Sequence, residues 1–96
     1  MIFAEIESDE SYYKMFDKLL TFIKKYFLNV ESGLQGDGWI WVINGSEKVS
    51  LDTFTSMRFQ IKSSQNSREF VEKVIEVVRK KYSVRVYVRP ELEIHE

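Results

Sequence analysis

Gly38-Trp39-Ile40-Trp41-Val42-Ile43-Asn44-Gly45 carries five consecutive apolar side chains, including both tryptophans of the chain. On a pleated strand, alternate side chains share a side. Trp39, Trp41 and Ile43 therefore project one way, and Ile40 and Val42 the other. The stretch reads as a strand apolar on both faces, closed by an Asn-Gly hairpin signal. Alternation leaves its orientation open. With the tryptophans inward they are core residues, the favoured fate for so large a pair. With them outward they make a broad aromatic surface. In either case apolar groups remain on the second face, and an exposed apolar patch usually marks an interface.

Outward from this strand, Lys48-Val49-Ser50-Leu51-Asp52 alternates and predicts the return strand, with Val49 and Leu51 inward. On the other side, Gly33, Gly36 and Gly38 cluster around a turn at 35–38. A glycine-rich loop can cradle phosphate when a strand precedes it and a helix follows. Here a strand follows, which favours a hairpin turn. Residues 28–34 are ambiguous, with Leu28, Val30 and Ser32 alternating as in a further strand.

The remaining elements follow from periodicity. Ile2, Ala4 and Ile6 make the inner face of a first strand whose outer face is Phe3, Glu5 and Glu7. Tyr12, Phe16, Leu19, Leu20, Ile23, Tyr26 and Phe27 trace one stripe of a helix over 9–27, entered through Ser8 or Asp9. Residues 56–62 alternate, with Met57, Phe59 and Ile61 inward and Arg58, Gln60 and Lys62 outward. A second helix spans 67–82, with Asn66 or Ser67 as its cap. In the last strand Val84, Val86 and Val88 face in, Arg85, Tyr87 and Arg89 face out, and Pro90 ends regular pairing. These elements predict a single α+β domain over 1–90 and an acidic tail over 91–96, in which Leu92 and Ile94 can add a short strand.

Strand, helix, two to four strands, helix, strand is the split βαβ pattern. It resembles the ferredoxin-like superfold: a mostly antiparallel sheet with two helices on one face. The stretch 44–55 exceeds the four-strand version and implies an added strand or an elaborated hairpin. The likeness is one of architecture and does not specify function.

Composition narrows the chemistry. Ninety-six residues at 44% hydrophobic content suffice for one core, at roughly 60–70% of the unfolded surface buried. There is no cysteine, so disulfides, thiol catalysis and thiolate metal sites are absent. A reducing, cytoplasmic setting is expected. No signal peptide or membrane span is expected either, since no apolar run approaches the ~20 residues a spanning helix needs. The only histidine, His95, stands in the tail, where a general base is poorly held. Asp37, Glu47 and Asp52 read as solvated turn carboxylates. No catalytic, cofactor-binding or metal-binding residues are expected. Small acyl-phosphate hydrolases share this length and layout, but their glycine-rich, arginine-bearing phosphate loop has no counterpart in Glu7-Ser8-Asp9-Glu10.

The expected function is non-enzymatic protein binding, of an inhibitor or immunity type, to another protein or to a second copy of the chain. The working surface is the sheet face without helices: Phe3, Trp39, Trp41, Arg58, Lys62, Arg85, Tyr87 and Arg89. The alternative is RNA or single-stranded nucleic acid bound by the same basic and aromatic groups. Against it stand a formal net charge of −1 and the acidic Glu5 and Glu7, which should pair with Arg58 or Arg85 across the strands.

Overall fold

The computed structural model describes residues 1–64 and 67–93. Its elements are β1 (Ile2–Glu7), α1 (Tyr12–Lys24), β2 (Val30–Gln35), β3 (Asp37–Asn44), β4 (Glu47–Asp52), β5 (Gln60–Lys62), α2 (Arg68–Val78) and β6 (Ser83–Glu91). The strands form one sheet in the order β2-β3-β4-β5-β1-β6, each neighbouring pair antiparallel. This is an α+β domain, but not the four-strand ferredoxin-like order. Four strands separate the helices, and β2 is pushed to the far edge by β3 and β4. The alternative cap Asn66, and Ile94 and His95 of the tail, lie outside the described residues.

Both helices pack on one side, α1 over β2 and β3, α2 over β4 and β5. Ile40, Val42, Val49, Leu51 and Ile61 line that side of the sheet without exposure, against Leu19 and Ile23 of α1 and Val71, Val74 and Val78 of α2. Each such side chain stabilises the fold by roughly 1.5–3 kcal/mol relative to exposure. Burial thus holds the valine-rich α2, whose intrinsic propensity is modest.

Local hydrogen bonds shorten α1. The Ser8 hydroxyl accepts from the Glu10 backbone N–H, so residues 8–10 turn on themselves. The helix then opens from Ser11, whose carbonyl accepts from Lys14 and Met15. Met15 and Phe22, which stand outside the three-and-four stripe, are buried as well, while Tyr13 is exposed. The β3–β4 hairpin turns at Gly45-Ser46 rather than at Asn44-Gly45, because Asn44 pairs with Glu47. Gly45 takes φ +61° there, the left-handed value that the first position of a two-residue turn requires.

Three expected inward positions fail. Met57 is 77% exposed because β5 begins only at Gln60, and 56–58 form a loop closed by Arg58 N–H donating to the Ser56 hydroxyl. Val86 and Val88 are exposed on β6, an edge strand of the sheet. Its pairing with β1 jumps from Ala4–Val86 to Ile2–Glu91, so residues 87–90 form a break that contains Pro90 and leaves Val88 96% exposed. The same irregularity turns Phe3 to the helix side, where it joins the core and Arg68 of α2 sits 5.8 Å from its ring. Phe3 therefore leaves the expected working surface.

Where α1 exits, Phe22 meets Tyr82 edge-on, with ring centroids 6.2 Å apart. The Tyr82 hydroxyl is buried without a hydrogen-bond partner among the described residues. Burial, and then Glu10, push its pKa upward. An unsatisfied buried hydroxyl costs about 1–3 kcal/mol. Tyr82→Phe is therefore expected to raise stability by about 1 kcal/mol in urea unfolding.

Candidate functional site: a lysine cleft on the helix-free face

The register fixes which side chains share the uncovered side. Glu5, Gln60, Asp52, Trp39 and Gly33 lie in one row across β1, β5, β4, β3 and β2, and Lys62, Ser50, Trp41 and Glu31 in the next. Both tryptophans thus face away from the core and stand half-buried, with ring centroids 4.5 Å apart and planes tilted by 40°. Of the two orientations left open by alternation, the outward one is adopted and the inward one, favoured for so large a pair, is not. Space decides the matter: opposite Trp39 stands Gly33, and a Cβ built there would lie 2.6 Å from the indole. The missing side chain lets Trp39 lie across β2. The Lys48 ammonium sits 4.1 Å from the Trp41 ring centroid, a cation–π contact on the second indole.

Beside Trp41 the surface falls into an open cleft of about 510 Å³, with Phe54 on its rim and Lys62 in its floor. Lys62 was expected outward and exposed. It does point to this side, but its side chain is only 4% exposed. It donates to Asp52 Oδ1 at 2.6 Å, to Glu93 Oε2 at 2.8 Å and to Thr55 Oγ1 at 3.4 Å. Asp52, expected to be a solvated turn carboxylate, is the buried counter-charge. Its Oδ1 also accepts from Phe54 N–H at 3.2 Å, and its Oδ2 accepts from the Ser50 hydroxyl at 2.6 Å. Burial alone would lower the Lys62 pKa. The hydrogen bonds to Asp52 and Glu93 outweigh it, and the pKa is raised above the ordinary 10.5. Lys62 is therefore a buried ammonium.

The other expected residues divide. Arg58 and Arg85 both approach Glu5 Oε2, at 3.8 and 3.7 Å. With both guanidiniums about half exposed, these pairs contribute roughly 0–1 kcal/mol each. Arg85 also lies 4.9 Å from the Tyr87 ring centroid. Tyr87 and Arg89 belong to the unpaired break of β6, on the far side of β1 from the cleft. The structure thus brings together Trp39, Trp41 and Lys62, places Arg58 and Arg85 on Glu5, and removes Phe3. It adds Ser50, Asp52, Phe54 and Glu93. The one signal available for Asp52 was its place as the outward residue closing an alternating strand.

No family model, curated protein or solved structure matches this chain. Among the described residues no cluster of His, Asp or Glu is arranged to hold a metal ion, and no helix is long and apolar enough to cross a membrane.

Proposed function

We propose that this chain is a non-enzymatic protein-binding domain that receives its partner on the helix-free face. One observation carries the reading: β3 turns Trp39, Trp41 and Ile43 away from the core and leaves them half-buried, with Trp41 lining an open cleft. Aromatic anchors next to a pocket are where binding energy concentrates in protein interfaces. The ionisable groups of the cleft floor are engaged with one another, which supports a binding role over a catalytic one. Nucleic acid draws less support, because Arg58 and Arg85 share Glu5 and Lys62 is enclosed by carboxylates. A cytoplasmic setting belongs to the same proposal and rests on the cysteine-free composition. So does the finer reading of the sheet: β6-β1-β5-β4 as a ferredoxin-like quartet, enlarged by the β2–β3 hairpin.

The test is a titration of wild type and Trp41→Asp against a partner isolated from the source cells and then purified. Trp41 lies on the face of the sheet turned away from the core, so the variant is expected to fold. Its affinity is expected to fall about thirtyfold, the effect of a ~2 kcal/mol hot spot. Tyr13→Asp, on the exposed side of α1, is the control and leaves affinity unchanged. A partner indifferent to Trp41→Asp overturns the reading. Oligouridine binding that weakens steeply with salt, with no protein bound, replaces it by the nucleic-acid alternative. Light scattering in which a dimer is lost in Trp41→Asp identifies the partner as a second copy.

A further inference from the structure

The Lys62 cleft holds two carboxylates of unequal standing. Asp52 is built into the sheet: it ends β4, is 4% exposed, and takes three donors, from Lys62, Ser50 and the Phe54 backbone. Glu93 comes from another part of the chain. It stands two residues beyond the end of β6, its side chain is 24% exposed, and its neighbour Leu92 is 70% exposed. It crosses to the cleft and places Oε2 at 2.8 Å from Lys62 Nζ.

With Glu93 withdrawn, the lining would retain one carboxylate, Asp52, against two lysines, Lys62 and Lys48. Asp52 already has three donors. The local balance becomes positive, and a buried ammonium loses a ligand it needs. A buried charge left short of a partner is costly, so an incoming carboxylate would be favoured strongly. Trp41 and Phe54 flank the opening. They would receive the apolar side chains that accompany such an acid, whereas an isolated small anion would leave them unused.

We infer that the cleft is a receptor for an acidic side chain on an apolar segment of a partner protein, and that Glu93 is an intramolecular placeholder for it. The inference rests on the binding reading of this face and names the partner's chemistry. Binding proceeds by exchange: the partner's carboxylate takes the Lys62 donor as Glu93 swings out to water. A placeholder lowers apparent affinity by the fraction of time that it occupies the site.

The experiment is calorimetric titration of the full chain with a capped hexapeptide alternating glutamate and leucine. Glu93→Gln is expected to bind it about fivefold tighter than wild type, since its neutral amide competes poorly for the ammonium. Glu93→Lys, which removes the placeholder and adds a second cation, is expected to bind the peptide at least as tightly as Glu93→Gln, and weaker binding than wild type overturns the inference. Lys62→Met is expected to abolish binding. Glu93→Lys keeps the test decisive if Lys62→Met fails to fold. The same peptide with glutamine for glutamate is expected to bind neither wild type nor Glu93→Gln. Equal affinity of wild type and Glu93→Gln, absence of binding to both, or equal binding of the glutamine peptide overturns the inference. So does inorganic phosphate that binds Glu93→Gln as tightly as the peptide does. With a purified partner the two readings separate. Loss in Trp41→Asp but no gain in Glu93→Gln sinks the placeholder alone, while no loss in Trp41→Asp sinks the binding face itself.

Discussion

Lys62→Met is expected to lower the unfolding free energy by about 3–5 kcal/mol, the cost of breaking a buried ion pair from one side. Methionine fills a similar volume, so the loss is electrostatic. Asp52 would be left at 4% side-chain exposure with only the Ser50 hydroxyl and the Phe54 N–H as donors. For a chain of this length the melting temperature is expected to fall by roughly 4–8 °C per kcal/mol. The double variant Lys62→Met/Asp52→Asn is expected to recover part of the loss, because the amide brings no buried charge. The sign of the pH dependence follows from the raised pKa. A lysine whose folded pKa exceeds its unfolded value contributes fully below the unfolded pKa and loses that contribution as pH rises through the folded one. Wild type is therefore expected to lose stability above the ordinary lysine value of 10.5, and Lys62→Met to lack that component. Urea titrations at neutral and alkaline pH measure both effects. A loss under ~1 kcal/mol at neutral pH would mean that the pair behaves as a surface salt bridge.

How much of this cleft was legible beforehand differs residue by residue. Alternation assigned Lys62 its side of the sheet, but a face is not an exposure. Its burial arises because the β4–β5 register sets it opposite Ser50, two residues from Asp52 along β4, and because Thr55 and Glu93 close over it. Those contacts join segments up to 31 positions apart, and no local pattern reports them. The helices and the β3–β4 hairpin were readable since their signals are periodic and local. Phe3 and Val88 were misassigned for one shared reason. A break in the β1–β6 ladder shifts the parity of every side chain beyond it, and an alternation rule assumes an unbroken ladder. The tryptophans were undecidable for another reason: a strand apolar on both faces satisfies the core in either orientation. The residue that settles it lies on the neighbouring strand, and it is a glycine.

That glycine carries the second large effect. Gly33→Val is expected to lower stability by about 2 kcal/mol, against the local rule. Glycine inside a strand costs roughly 0.5–1 kcal/mol relative to alanine, and valine suits strands better still, so propensity alone predicts a gain. Sterics win because the new Cβ would lie 2.6–2.7 Å from three atoms of the Trp39 indole. The indole must swing off β2 and exposes apolar surface as it does so. It cannot simply slide along β3, because the Trp41 ring lies 4.5 Å away. The near-ultraviolet circular dichroism of the tryptophan pair should therefore change together with the urea midpoint. Trp39→Ala provides the control. In that background the obstruction is gone, and Gly33→Val is expected to be neutral or stabilising. A sign reversal between the two backgrounds would assign the destabilisation to the Gly33–Trp39 contact. A loss of equal size in both would place its cause in the β2 backbone and leave the outward set of Trp39 without its explanation.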